Sequence, residues 1–193
     1  MGRPKKKLLY PSITLTNYRK LLPYSFFHPF LYARTLSEFS GVTLSLEFFA
    51  LNIAIGTLLK ILLVIVLTQN ITAAFLGISS LLFFLPISLG IFLLSTALFY
   101  ILARLLGGKG SFGKTLFISS YALLPSIFFQ IPLVSILAFL YYIFLLTLSF
   151  KEVQKYSWTK AVFTIVFPFI VLITLLVSIG VLNPFYLLSL NII

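Results

Sequence analysis

The residues most suggestive of chemistry form a glycine-rich, cationic segment in the middle of an otherwise apolar chain. Residues 104 to 114 read Arg-Leu-Leu-Gly-Gly-Lys-Gly-Ser-Phe-Gly-Lys. From Gly108 to Thr115 the sequence matches Gly-x-x-x-x-Gly-Lys-Thr, the pattern of a phosphate-binding P-loop. A P-loop also needs a preceding strand and an Asp near its Mg²⁺, whereas this chain has no Asp and the segment follows a long apolar run. We therefore interpret the segment as a tight loop between two transmembrane helices.

The remaining residues offer little for catalysis or metal binding. The three acidic residues are all Glu, and the chain has one His and no Cys. A metal site built from protein ligands needs several such groups together, and general acid–base chemistry needs a base placed beside a second catalytic group. We therefore expect a protein that is not an enzyme and has no metal site and no cofactor.

The composition indicates a membrane protein. Of the 193 residues, 61% are hydrophobic and only 9% are charged, whereas about a quarter of the residues of a soluble domain are charged. Lys and Arg outnumber Asp and Glu by 14 to 3, and they lie in short patches between apolar runs. Membrane topology and anionic lipid headgroups explain such patches better than nucleic acid does, so we do not expect a nucleic-acid partner.

The apolar runs predict an all-α fold, a bundle of five transmembrane helices, because about 20 residues suffice to cross the hydrocarbon core. The predicted spans are residues 43–67, 82–105, 111–129, 133–150 and 161–182. Ser111 is placed to cap the third helix. Residues 71–80 are interpreted as a short re-entrant or interfacial turn, with their inclusion in the second span as the alternative.

The segments outside the spans differ in charge and pattern. We divide the chain into a basic cytoplasmic tail (1–20), an interfacial amphipathic segment (21–42), the membrane domain (43–182) and a short external tail (183–193). Pro29 suits the first turn of a short N-terminal interfacial helix. The apolar face predicted for this helix consists of Phe30, Ala33, Leu36 and Phe39.

Basic residues segregate onto alternate connections of this five-span arrangement. Thirteen of the 14 cations precede the first span or lie at the connections between spans two and three and spans four and five. The positive-inside rule then places the N-terminus in the cytoplasm and the C-terminus outside. The membrane would be the cell membrane in a prokaryote, or that of the endoplasmic reticulum or Golgi in a eukaryote.

The first predicted span carries Glu47 near its start and two residues further inside that could have an intramembrane role. They are Asn52 and Lys60. Lys60 either extends its long side chain towards the membrane surface or faces a partner within the bundle, since intramembrane charges do one or the other.

The third span carries a short recognisable motif. It begins with Phe-Gly and continues, at residues 120 to 125, as Ser-Tyr-Ala-Leu-Leu-Pro. The motif residues are Phe112, Gly113, Ser120, Tyr121 and Pro125. With five spans, a basic N-terminus and a glycine loop after the second span, this sequence resembles the Yip1 domain family over residues 28 to 182, and prokaryotic, including archaeal, members in particular. Eukaryotic members have Gly-Tyr-x-Leu-Leu-Pro, so Ser120 replaces a Gly.

The resemblance implies a membrane protein connected with vesicle traffic and, in eukaryotes, with Rab-type GTPases. Those members carry an Asp-Leu-Tyr-Gly-Pro motif in a long N-terminal domain. This chain has no Asp, so we do not expect it to bind a GTPase.

We therefore expect a non-enzymatic membrane protein that organises or shapes the bilayer or scaffolds partners, which include a protein partner or a second copy of the chain. The glycine loop and the N-terminus of the third helix would bind an anionic lipid headgroup, although the same lysines could serve only to set orientation. The predicted contacts are Arg104, Gly107, Gly108, Lys109, Gly110 and Lys114. The alternative function is a small transporter or channel with a polar site near Lys60 and Tyr121.

Overall fold

The computed structural model describes residues 15–69, 71–131 and 133–178, and the regular secondary structure in this part consists of helices, without a strand. The elements are α1 (Leu15–Phe27), α2 (Pro29–Leu36), α3 (Val42–Thr68), α4 (Ile71–Leu105), α5 (Phe112–Ala122), a 3₁₀ helix (Leu124–Gln130), α6 (Val134–Gln154) and α7 (Trp158–Ser178). The all-α prediction is confirmed. Residues 1–14 and 179–193, which include the predicted external tail, lie outside the described residues.

Four of the described segments are long and apolar enough to cross a membrane. They are Val42–Leu67, Leu85–Leu105, Phe112–Gln130 and Val134–Gln154. The apolar stretch found in α7, Trp158–Val171, is shorter. The predicted multi-pass architecture is thus confirmed for four helices, and the fifth crossing stays a prediction.

The turn predicted at residues 71–80 is wrong. The backbone from Ile71 to Leu105 is one helix of 35 residues, which at 1.5 Å per residue is about 52 Å long. Gly77 lies within this helix, where a Gly costs only about 1 kcal/mol relative to Ala. In lipid, an apolar segment is more stable when its backbone N–H and C=O groups are hydrogen-bonded within a helix, because lipid offers them no other partner. The alternative, in which these residues extend the second helix, is the observed one.

The third span is the centre of the bundle. In its most apolar stretch of 18 residues, 61% are buried within the protein, against 11%, 17% and 39% in the corresponding stretches of the other three spans. It consists of α5 followed by the 3₁₀ helix, with the break at Leu123. Because a 3₁₀ helix rises about 2.0 Å per residue, the two pieces together reach the roughly 30 Å of a hydrocarbon core.

Helix α2 packs into this bundle. Pro29 is its first residue, as predicted, but its buried face consists of Tyr32, Ala33 and Leu36. Phe30 was predicted on that face and is 61% exposed. The reason is that α2 packs against α6 and α5, whose position decides which side of the helix is covered. The interfacial position of this segment stays a prediction.

The two basic connections lie at the same end of the bundle. The backbone N–H of Lys109, between α4 and α5, donates to the carbonyl oxygen of Gln154 at the end of α6, 3.4 Å away. The ammonium of Lys160 donates to the carbonyl oxygen of Leu106 at 3.0 Å. We call this the basic end, and its cations are Arg104, Lys109, Lys114, Lys151, Lys155 and Lys160.

Candidate functional site

The glycine loop begins as a helix C-terminus. Gly107 has a φ of +87°, a left-handed conformation that Gly adopts without the steric cost of a Cβ atom. Its N–H donates to the carbonyl of Arg104 at 3.0 Å, and the next N–H, of Gly108, donates to the carbonyl of Ala103 at 2.9 Å. These bonds satisfy carbonyl groups that the end of α4 would otherwise leave without donors.

Gln154 joins this loop to the end of α6. Its side chain is fully buried, and its Oε1 accepts a hydrogen bond from the N–H of Gly110 at 2.8 Å. Its Nε2 donates to Oγ1 of Thr115 at 3.1 Å. Next to it, the buried Tyr156 donates its hydroxyl hydrogen to the carbonyl of Ala103. We call Gly108, Gly110, Thr115, Gln154 and Tyr156 the loop clasp, since they tie the two basic connections together.

Two glycines of the clasp are required by close packing. A Cβ atom on Gly108 would lie 2.6 Å from Oε1 of Gln154 and 2.9 Å from the carbonyl oxygen of Ala103. On Gly110 it would lie 2.8 Å from both side-chain amide atoms of Gln154. These distances are shorter than van der Waals contact, so a larger residue would force the clasp apart.

The backbone cradle that we expected for a phosphate is already occupied by protein groups. The N–H groups of Gly107, Gly108, Lys109 and Gly110 all donate to protein oxygens. The cationic side chains are more accessible. Lys109 is exposed, whereas Arg104 donates to the carbonyl of Gly108 at 3.0 Å and Lys114 donates to that of Ser37 at 3.4 Å. Headgroup binding by these side chains stays a prediction, but it would not use the loop backbone.

The resemblance to a P-loop is limited to sequence. The element before the glycines is the helix α4, not a strand. Thr115, which would have to reach Mg²⁺, is buried, and its hydroxyl donates to the carbonyl of Ser111 at 3.0 Å while accepting from Gln154. Ser111 caps α5 as predicted, because its Oγ accepts from the N–H of Lys114 at 3.4 Å.

The break in the third span forms a second polar cluster. Pro125 has no N–H, so it cannot donate to the carbonyl of Tyr121, four residues earlier, as an α-helical residue would. That carbonyl accepts instead from the N–H of Leu123 and from the hydroxyl of Tyr32 in α2, the latter at 2.9 Å. A helix break inside a membrane requires such replacement donors, because lipid offers none.

Asn52 supplies another donor at the break. It is 1% exposed, and its Nδ2 donates to the carbonyl of Leu123 at 2.8 Å and to Oγ of Ser126 at 2.6 Å. One turn further along α3, Gly56 faces the backbone of the 3₁₀ helix, where a Cβ atom would lie 3.8 Å from Cα of Ile127. Asn52 therefore holds the broken span against α3.

Tyr121 and Lys60, the two residues of the transporter alternative, lie in different surroundings. Tyr121 is 1% exposed, and its ring stacks on those of Phe48 and Phe117 with centroids 3.9 and 4.4 Å away. Lys60 is exposed on the outside of α3. A ring enclosed in this way is packed as part of the core, and the transporter alternative stays a prediction.

The remaining motif residues lie at the start and in the buried middle of α5. Phe112 is exposed, and its ring meets that of Tyr100 at 5.6 Å. A Cβ atom on Gly113 would meet nothing within 4 Å. Ser120 is buried and donates to the carbonyl of Phe117 at 2.8 Å.

Comparison with known proteins agrees with these features. A family model described as the Yip1 domain matches residues 23–179, which is most of the chain. The chain belongs to the Yip1 domain family. No curated protein and no solved structure shows a significant match. The match includes the glycine loop and the broken third span, and with the four long apolar helices it identifies a multi-pass integral membrane protein of Yip1 type.

Sequence reasoning missed three side chains that hold this Yip1 domain together. They are Tyr32, Gln154 and Tyr156. Gln154 was assigned to a polar connection, and its only signal was an uncharged polar residue among lysines. Its partners Gly110 and Thr115 lie 44 and 39 residues earlier in the chain, a separation that no local pattern reveals.

The clasp predicts a specific loss of stability at alkaline pH. Burial raises the pKa of the Tyr156 hydroxyl, although the nearby Gly108 backbone and Arg104 charge act in the opposite direction. A raised pKa in the folded state contributes stability below the unfolded value of about 10, and this contribution is lost as the pH rises through the folded value. We expect Tyr156→Phe to lower the melting temperature at pH 8 and to make its decline above pH 10 less steep than in the wild type. Melting temperatures that decline equally with pH in the variant and the wild type would contradict this role of Tyr156.

Proposed function

We propose that this Yip1-domain protein is a non-enzymatic membrane scaffold whose basic end binds anionic lipid headgroups and so organises the bilayer around it. The observation that carries the proposal is the arrangement of the two basic connections. Exposed cations from both, among them Lys109, Lys155 and Lys160, are held at one end by the clasp. Because the loop backbone is internally hydrogen-bonded, the available attraction is electrostatic and comes from side chains.

Such a site differs from a phosphate cradle in two ways. It has little geometric selectivity, because ammonium groups on flexible stems act as point charges. It is also sensitive to salt, because exposed charges are screened over about 8 Å at physiological ionic strength. Each Lys or Arg near an anionic surface contributes roughly 1 kcal/mol. Several cations fixed at one end therefore add up to a preference for anionic lipid without a deep pocket.

The proposal includes an orientation. The basic end would face the cytoplasm, because Lys and Arg in short connections are retained on that side during insertion. With α7 as a fifth crossing, the end of the chain would be outside. Binding of a protein partner or a second copy at the basic end is compatible with this arrangement, but lipid is the occupant that the exposed lysines support best.

The test compares two charge removals in the full-length protein. We expect Lys109→Gln combined with Lys155→Gln to weaken the retention of phosphatidylglycerol relative to phosphatidylcholine by up to about thirtyfold, since two lysines are worth about 2 kcal/mol. Native mass spectrometry of the detergent-solubilised protein with both lipids measures this ratio. Raising the salt concentration should remove most of the difference between variant and wild type.

Lys60→Gln is the matched control. It removes one positive charge from an exposed lysine that lies about 27 Å along α3 from the basic end. We expect it to leave the lipid preference unchanged. An unchanged preference in the double variant, or an equal loss in the control, would contradict the proposal.

A further inference from the structure

An apolar groove follows the outer face of α7. Its main lining residues are Trp158, Val162, Phe163, Val166, Phe167 and Ile170. The rings of Phe163 and Phe167 stack with their centroids 4.9 Å apart, and the valines line the groove beside them. From Trp158 to Ile170 the helix rises about 18 Å, close to the roughly 15 Å thickness of one leaflet's hydrocarbon.

Charge marks one end of this groove. The ammonium of Lys151 lies 4.8 Å from the centroid of the Trp158 ring, and Lys155 is exposed in the connection between them. The carboxylate of Glu152 lies 3.9 Å from the same ammonium and partly offsets it. The opposite end of the groove, near Ile170, is apolar. The groove thus complements an anionic lipid. Its mouth is cationic, and the rest is apolar and about as long as one leaflet is thick.

We propose that this groove holds one acyl chain of an anionic phospholipid, with the phosphate at its mouth beside Lys151 and Trp158. This inference rests on the proposed function, and it assigns the lipid to one defined place at the basic end. Trp is common at the boundary between headgroups and hydrocarbon, where its ring is apolar and its N–H can donate to a headgroup oxygen. The cation above the ring then provides the selectivity for a negative phosphate.

A second copy of the chain fits this groove less well. In a twofold dimer that packs α7 against its counterpart in the membrane, the two basic ends would lie on the same side and face each other. Lys151, Lys155 and Lys160 would then oppose the same cations of the other copy. Anionic lipid removes this repulsion because it brings the opposite charge to the mouth.

Trp158 gives a direct readout, because it is the single Trp of the chain. The full-length protein is placed in nanodiscs of phosphatidylcholine and phosphatidylglycerol, with bromine atoms on the acyl chains of one lipid or the other. Bromine quenches Trp fluorescence only at short range. We expect brominated phosphatidylglycerol to quench Trp158 about fivefold more, per lipid present, than brominated phosphatidylcholine, the enrichment that one lysine provides.

Two variants separate the headgroup from the chain. Lys151→Gln should reduce the quenching ratio towards one, while Val162→Phe should fill the groove and lower quenching by brominated phosphatidylglycerol. Val66→Phe makes the same substitution at a 74% exposed position of α3 and should change neither value. Glu152→Gln should raise the ratio, because it removes the competing negative charge.

Equal quenching by both lipids in the wild type would overturn the groove site. If native mass spectrometry still showed a preference for phosphatidylglycerol in that case, the proposed function would stand and only this placement would fail. Quenching by neither lipid would mean that protein covers the groove, and would also overturn the inference.

Discussion

Gly108→Ala is expected to lower the melting temperature of the detergent-solubilised protein by about 6 to 12 °C, corresponding to about 3 kcal/mol of overpacking. The added methyl group would lie 2.9 Å from the carbonyl oxygen of Ala103 and 2.6 Å from Oε1 of Gln154. The carbonyl oxygen of Ala103 belongs to the backbone of α4, which cannot move out of the way as the end of a side chain can. Relief of the clash would therefore displace Gln154 and loosen the hydrogen bonds it makes to both basic connections.

Gly113→Ala and Gly90→Ala are the matched controls for this experiment. A Cβ atom on either glycine would meet nothing within 4 Å, and both lie in helices, where Ala is favoured over Gly by roughly 0.5–1 kcal/mol. We expect each control to leave the melting temperature unchanged or slightly higher. A Gly108 variant as stable as these two would show that the clasp does not hold the loops.

Asn52→Leu is expected to cost about 2 kcal/mol, or about 4 to 8 °C in melting temperature. Leu has the same number of side-chain heavy atoms and the same branch at Cγ, so most of the loss reports hydrogen bonding. Without the amide, the carbonyl of Leu123 and the hydroxyl of Ser126 would lose a donor inside the bundle. A buried carbonyl without a donor costs more free energy of folding than a hydrogen bond between exposed groups contributes.

Lys60→Leu on the same helix is the control for this second experiment. Lys60 is exposed, and removing a charge from an apolar span should not destabilise the protein. If Asn52→Leu left the melting temperature unchanged while Lys60→Leu lowered it, the polar group that matters in α3 would be the lysine.

The sequence predicted features that depend on local physics. Helix α3 was predicted from residue 43 to 67 and extends from Val42 to Thr68, because apolar runs of that length are helical in lipid. Ser111 as a cap and Pro29 as a first helical residue were also correct, since both depend on backbone groups within a few residues. The segregation of cations likewise predicted that Lys109 and Lys155 lie at one end.

Features that depend on distant partners were not predictable. The glycine loop has the composition of an anion site, but its N–H groups are taken by Gln154 and by the end of α4. The orientation of α2 was predicted from its own apolar periodicity, and packing on α6 buried Tyr32 instead of Phe30. Asn52 was identified as polar within a span, while its partner Leu123, 71 residues later, became evident only in the fold.

We propose that the basic end faces the cytoplasm in a chain that crosses the membrane five times. The chain has no Cys, so single substitutions by cysteine can be labelled without background. Lys109→Cys, Lys155→Cys, Gln69→Cys and Ile193→Cys would each be exposed to a membrane-impermeant maleimide on intact cells and again after permeabilisation. We predict that positions 69 and 193 react on intact cells and that 109 and 155 react only after permeabilisation. Labelling of 109 and 155 from opposite sides, or of 193 only after permeabilisation, would contradict this topology.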